Sequence, residues 1–343
     1  TTHLAGLMAN RGLILANDVQ PRRAKELVGN LERCGVRNSL VTCESVSRLA
    51  RRFPGWFDRV LVDAPCSGES MFHRSRVARE EWSPEVVAGC AVRQKDLLSE
   101  AASLVGPGGV LVYSTCTFAP EENEEVAEAF LRGNPGFASI ALDIPGAEEG
   151  WPGGEPREAS GSPAGFGIRL WPHRVPGAGH FIAAFRRRGD SDGSEIGAWR
   201  TSIPSEAARL LADFLEDALP EETPAPDRLH LRGSEVYQIP AGSPEPGGMG
   251  VLRPGLWLGS LLAKRFEPSH SLALAVRPAS ALRRVELEPD DPRVGRYLAG
   301  HPIEEPGPRG WLLVTVGGFA LGWGKRVGTT VKNHYPRGLR WRS

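Results

Sequence analysis

Three short apolar runs, at residues 13–18, 59–65 and 110–116, each lead into a carboxylate or a thiol: Asp18, then Asp63 with Cys66 close behind, then Cys116. Amphipathic stretches of helical length at 21–34 and 84–105 lie between them. Alternation of buried strand and crossover helix is the pattern of a mostly parallel, doubly wound α/β sheet. Gly106, Pro107, Gly108 and Gly109 form the turn into the third run. Pro120, followed by Glu121, Glu122, Glu124 and Glu125, marks another helix start, because a helix N-terminus tolerates proline and favours negative charge. Residues 181–185 supply a last strand. Ligands of such sheets collect at the carboxyl ends of the strands, so Asp18, Asp63 and Cys116 are expected to face one crevice.

With 343 residues, 41% hydrophobic and 24% charged, the chain is long enough for more than one core. The Gly-, Pro- and Glu-rich run 146–165 reads as an exposed loop inside the first domain. A polar, glycine-rich stretch at 189–197 precedes a helical pattern at 204–219, which sets the first domain at 1–200. Strand-like runs at 236–239, 272–276 and 311–316, among many Gly and Pro turns, predict a β-rich accessory region divided into 201–284 and 285–343. No apolar run approaches the roughly 18 residues of a membrane span, and residues 1–12 lack a signal-peptide layout. A cytoplasmic, monomeric protein is expected.

The five cysteines, Cys34, Cys43, Cys66, Cys90 and Cys116, stand singly, with no CxxC pair and no histidine at ligand spacing. That pattern indicates neither a metal site nor a disulfide framework. Zero formal charge excludes a uniformly basic nucleic-acid binder but permits a local patch. Such a patch follows Glu305, after which there is no acidic residue, while Arg309, Lys325, Arg326, Lys332, Arg337, Arg340 and Arg342 all occur there. Basic side chains interleaved with Trp311, Trp323, Tyr335 and Trp341 suit phosphate contacts and base stacking. The plainer reading makes such aromatics the core of a small β domain, and it is adopted for Trp311 and Phe319.

Cys34, Cys43 and Cys90 read as small buried apolar side chains. Cys66 sits in a Pro-Cys-Ser-Gly turn, where structure alone does not require a thiol. Cys116 stands between a strand end and a helix start, where the helix dipole favours a thiolate. Asp18 and Asp63 have a plainer reading as caps of the turns that follow them. Two thiols at neighbouring strand ends, one beside a carboxylate, suit attack on an electrophilic ring carbon. A thiolate adding to carbon 6 of cytosine makes carbon 5 nucleophilic enough to accept a methyl group from a sulfonium donor.

Asp63-Ala64-Pro65-Cys66-Ser67-Gly68-Glu69, together with Ser114-Thr115-Cys116-Thr117 and Glu121-Glu122-Asn123, resembles the two signature blocks of the NOL1/NOP2/Sun family, which makes 5-methylcytosine in RNA. The resemblance implies a class I methyltransferase fold using S-adenosylmethionine, with Cys116 as nucleophile and Cys66 assisting product release. It implies that Asp63 grips the cytosine near the methionine end of the cofactor, and that Asp18 binds the ribose hydroxyls. Where the family shows an acidic residue near the adenine, ungapped spacing places Ser45, with Glu44 adjacent. Gly322-Trp323-Gly324-Lys325, then Lys332-Asn333-His334-Tyr335-Pro336 and Gly338-Leu339-Arg340, resembles the C-terminus of the bacterial RsmF-like branch. That branch acts on small-subunit (16S) ribosomal RNA and carries a PUA-like RNA-binding domain. Lys325, Arg326, Lys332, Arg337 and Arg340 are therefore candidate RNA contacts, and the target base must leave its stack to reach Cys116.

The family's first strand and glycine-rich cofactor loop are expected to end just before Thr1. The chain as given is therefore expected to bind S-adenosylmethionine weakly or not at all, and to be inactive. Two rival readings remain: a DNA cytosine methyltransferase, in which Cys66 attacks, and a non-catalytic RNA-binding ribosome-assembly factor.

Overall fold

The computed structural model describes residues 1–150, 166–189 and 196–341. Most of the loop read at 146–165, most of the break at 189–197, and Arg342 lie outside them. By contacts the chain divides into two compact units, one of Thr1–Glu44 with Gly197–Ser343, the other of Ser45–Ile196.

The chain opens with α1 (Thr2–Leu7), β1 (Ile14–Asn17), α2 (Pro21–Arg33) and β2 (Ser39–Thr42). α2 starts on Pro21, whose missing N–H is no loss in a first helical turn, and connects two parallel strands paired from Ile14↔Ser39 to Asn17↔Thr42. Ala16, Leu31 and Val41 form their shared core. Cys34 caps the end of α2 and is exposed, against the reading that buried it. Cys43 is half-buried, its thiol donating to Val19 O, and only Cys90 of that trio is buried.

The unit Ser45–Ile196 contains α3 (Val46–Arg52), β3 (Phe57–Asp63), α4 (Arg76–Glu81), α5 (Pro84–Ala102), β4 (Val105–Thr115), α6 (Glu124–Gly133), β5 (Phe137–Ser139), β6 (Glu148–Glu149), β7 (Ile168–Leu170) and β8 (His180–Arg187). Its sheet runs β3-β4-β8-β7-β6, with β5 on β8; β3 and β4 are parallel, and β8 is antiparallel to β4. Leu98 of α5 and Val126 and Phe130 of α6 pack with Leu111, Tyr113, Phe181 and Phe185 of the strands. The two parallel pairs, β1–β2 and β3–β4, thus belong to separate sheets. β3 is the edge of its sheet, with Leu61 53% exposed, although its sequence reads as a buried strand.

The remainder comprises α7 (Ser205–Ala218), β9 (Leu229–Arg232), β10 (Glu235–Gln238), β11 (Val251–Arg253), β12 (Leu256–Leu262), β13 (Arg265–Pro268), α8 (His270–Ala275), β14 (Arg284–Leu287), α9 (Pro292–Leu298), β15 (Ile303–Glu304), β16 (Gly310–Val316), β17 (Phe319–Val327) and β18 (Thr330–Asn333). Two sheets result, β13-β12-β10-β9 and β14-β16-β17-β18-β15. β11 instead pairs antiparallel with β2. The buried Arg253 donates to Ser39 O at 3.1 Å, to Ser39 Oγ at 2.6 Å and to Val36 O at 2.6 Å. This pairing is why residues 1–44 group with the C-terminal residues.

Two further sequence expectations differ from the structure. Residues 272–276 fall in and just after a helix, α8, not a strand: Ser269 accepts from Leu272 N at 2.9 Å and caps it, and a five-residue apolar run fits either state. Phe319 is 78% exposed rather than core, because it follows the two-residue turn Gly317-Gly318 that joins β16 to β17. Trp311 is buried as read. Among the described residues no helix is long and apolar enough to cross a membrane, and no group of three or more His, Cys, Asp or Glu could hold a metal ion.

Candidate active site

β3 ends at Asp63 and β4 at Thr115, so the two motif turns leave the same end of adjacent parallel strands. Ala64 N donates to Ser114 O at 2.9 Å, and Ser70 N donates to Cys116 O at 3.1 Å. Between these ties the first turn reverses at Gly68, whose left-handed φ of +73° suits a residue without Cβ. The result sets Cys66 Sγ 3.3 Å from Cys116 Sγ, both residues half-buried, with Asp63 exposed at the strand end beside them.

The two sulfurs are not equivalent. A hydrogen bond from Cys66 holds the Cys116 thiol below the ordinary range; burial opposes this, the Ser70 hydroxyl and the charge of His180 reinforce it, and the Asp63 carboxylate counteracts it. Cys66 moves the other way, first because its proton is engaged with Cys116 and then because it is buried. The direction favours the thiolate form at Cys116 and the thiol form at Cys66. The helix dipole invoked from the sequence is not the cause, since a single 3-10 turn (Pro120–Glu122) follows Cys116 and α6 begins only at Glu124.

A buried polar network fixes both turns. The Glu122 carboxylate accepts from Ser67 N at 3.0 and 3.3 Å and from Gln94 Nε2 at 2.8 Å, while Gln94 Nε2 also donates to Pro65 O at 2.8 Å. Glu69 accepts from Thr117 Oγ1 at 3.1 Å, Phe118 N at 2.8 Å and Trp82 Nε1 at 3.0 Å. Arg169, 1% exposed, clasps Glu124 with Nε at 2.6 Å and Nη2 at 2.5 Å, and its Nη1 donates to Phe118 O at 2.8 Å. The sequence reading gave Glu124 only to a helix terminus, placed Glu122 there and in a family signature block, and missed Gln94 and Arg169. Gln94 carries a usable signal, a polar residue within the apolar stripe of Val87, Ala91, Leu98 and Ala101 on α5. Arg169 carries none.

Asp63, Cys66 and Cys116 come together within one unit; Asp18 and Glu44 belong to the other. Asp18 follows β1, accepting from Gln20 N at 2.9 Å and pairing with Arg23 at 3.1 Å, as its capping reading foresaw. Glu44, expected beside the adenine, is 8% exposed and its carboxylate accepts from Gly250 N at 2.5 Å, so it also ties the chain internally. Ser45 Oγ accepts from Arg48 N at 3.3 Å and caps α3.

In the C-terminal region Lys325 and Lys332 are cross-strand neighbours, and Lys325 Nζ lies 5.1 Å above the Trp311 ring. Lys332 and Arg337 are exposed, and Arg340 donates to Tyr335 O at 3.3 Å. Arg326 is corrected: it is buried, donating to Glu305 O at 2.8 Å and Pro308 O at 3.2 Å, which leaves it a structural residue. Trp323, 1% exposed, is core and not a stacking platform, whereas Trp341 is 63% exposed.

Two sulfurs held at the tips of adjacent parallel strands suit thiol chemistry on an α/β sheet, and comparison with known proteins gives the class, a methyltransferase family that acts on RNA. Residues 1–186 match the family described as 16S rRNA methyltransferase RsmB/F, residues 213–276 the RsmF rRNA methyltransferase first C-terminal domain, and residues 284–341 the methyltransferase RsmF PUA domain. The ribosomal RNA small subunit methyltransferase F of Vibrio vulnificus (strain YJ016) is 32% identical over 354 residues, spanning 99% of this chain and 71% of that protein. That of Aeromonas salmonicida (strain A449) is 31% identical over 348 residues, with the same two coverages of 99% and 71%. Among solved structures, NSun6 from Pyrococcus horikoshii with SFG is similar at a TM-score of 0.46 and 29% identity, over 55% of this chain and 45% of that one. The chain belongs to the 16S rRNA methyltransferase RsmB/F family.

Proposed function

We propose that the protein methylates carbon 5 of a cytosine in 16S ribosomal RNA through a covalent bond between Cys116 and carbon 6. The observation that carries this reading is the pair of sulfurs 3.3 Å apart at the ends of adjacent parallel strands, with Cys116 held below the ordinary thiol range by its hydrogen bond to Cys66. A thiolate is the nucleophilic form of cysteine, and a thiol beside it can hydrogen-bond the same sulfur when it departs. Cys66 in that second role, and Asp63 on the amide edge of the cytosine, complete the set. The rival in which Cys66 attacks requires the opposite assignment of the proton.

S-adenosylmethionine, when bound, supplies an electrophilic methyl group. Asp18 fits its ribose hydroxyls, being a half-buried carboxylate just past a strand end. Residues 1–200 are the catalytic part of this reading. Residues 201–284 and 285–343 dock the RNA, with Lys325, Lys332, Arg337 and Arg340 as phosphate contacts. The substrate, free ribosomal RNA or the small subunit, would be met in the cytoplasm.

Separate Cys116→Ala and Cys66→Ala exchanges in the complete protein, assayed for methyl incorporation into 16S RNA, test this. Cys116→Ala abolishes methylation, and Cys66→Ala accumulates a covalent protein–RNA band. The reverse pattern makes Cys66 the nucleophile and overturns the reading.

A further inference from the structure

We infer that His180 is the base that removes the proton from carbon 5 of the methylated cytosine; the inference rests on the covalent reading above. The strand register from Val110↔Arg186 to Thr115↔Phe181 pairs β4 with β8, and the next residue on from that last pair is Cys116 on one side and His180 on the other. Thr115 and Phe181 are fully buried. Alternation therefore turns Cys116 and His180 to the opposite face, where both are half-buried. Residues directly opposed in an antiparallel pair have Cβ atoms about 5 Å apart. The approach to His180 is also fixed, because Gly179, at φ +100°, lies against the Phe118 ring, two residues past Cys116.

Nδ1 of His180 lies 3.0 Å from Gly179 O. A carbonyl can only accept, so Nδ1 is the donor of this contact, and in the neutral ring Nε2 is then the acceptor, which is the form a general base needs. Three nearby glutamates and Cys66 are less suited to the task. Glu69, Glu122 and Glu124 are each held by two or more donors. Cys66 is already engaged with the Cys116 sulfur at 3.3 Å.

In the step itself the carbon 5 proton moves to Nε2, the electron pair it leaves forms the bond between carbons 5 and 6, and the bond from carbon 6 to sulfur breaks. Cys116 leaves as a thiolate, with the Cys66 thiol and the new imidazolium beside it. The favourable effect of His180 charge on the Cys116 thiolate is in keeping with this departure.

The test uses the complete protein with S-adenosylmethionine and RNA carrying tritium at carbon 5 of its cytosines, comparing His180→Gln and His180→Ala with the wild type. Each variant is expected to form the Cys116 adduct and to transfer one methyl group into it, while tritium release falls by about 100-fold or more, the range of general-base catalysis. The adduct itself reports that the variant is folded. Undiminished tritium release overturns the inference. So does loss of the adduct with loss of methyl uptake, which assigns His180 to stabilising the attacking thiolate instead. If the wild type forms no adduct at Cys116, the covalent reading fails first, and the two failures are thereby told apart.

Discussion

The cysteine turns and the basic C-terminal strands use polar residues in opposite ways. Around Cys66 and Cys116, Glu122, Gln94, Glu124 and Arg169 are withdrawn from solvent and bonded to one another or to the turns. There they set the positions of two sulfurs. Near the C-terminus only part of the charge is invested in structure: Arg326 is buried under carbonyls, whereas Lys332 and Arg337 stay in water. Buried polar networks give geometry, and exposed cations give a field; residue type alone does not say which a given side chain does.

That contrast can be broken most forcefully at Arg169. Arg169→Ala leaves the Glu124 carboxylate buried without its partner, and is expected to cost about 3–5 kcal/mol in urea unfolding. A loss within 0.5 kcal/mol, roughly that of a surface substitution, means the network does not hold the turns. Cys66→Ala sharpens the account of the sulfurs. Without its donor, the pH midpoint for alkylation of Cys116 by iodoacetamide should rise by about 1–2 pH units, since a hydrogen bond to a charged group contributes about 1.5–3 kcal/mol. A midpoint that stays or falls contradicts the hydrogen bond as the cause.

The smallest effects separate the two kinds of cation in the tail. Arg326→Ala should lower stability by about 1–3 kcal/mol through its unpaired carbonyls while leaving the salt dependence of RNA binding unchanged. Lys332→Ala should do the reverse, changing stability by less than about 0.5 kcal/mol and reducing the salt slope of binding by roughly 1. Equal effects of the two on binding would erase the distinction.

Much of the local structure was legible because it is coded locally. The proline starts of α2 and α5 and the apolar runs of β4 and β16 all announce themselves over a few residues. The cysteine pair was legible as two motifs. What escaped depends on distant partners or on surroundings. The α8 run is too short to distinguish helix from strand, and Phe319 is apolar but sits at a hairpin tip. Glu44 looks like a free acid until Gly250, far along the chain, donates to it. Arg169 meets Glu124 across 45 positions, which no periodicity foretells. A helix start near Cys116 is visible in the sequence, whereas the sulfur beside it, the largest cause that moves its thiol downward, is not.

The most direct measurement is mass-spectrometric mapping of the complete protein after incubation with S-adenosylmethionine and RNA containing 5-fluorocytosine, whose fluorine blocks the elimination that frees the sulfur. The account predicts a stable nucleotide adduct on the peptide containing Cys116. An adduct on Cys66, or none on either cysteine, would contradict it.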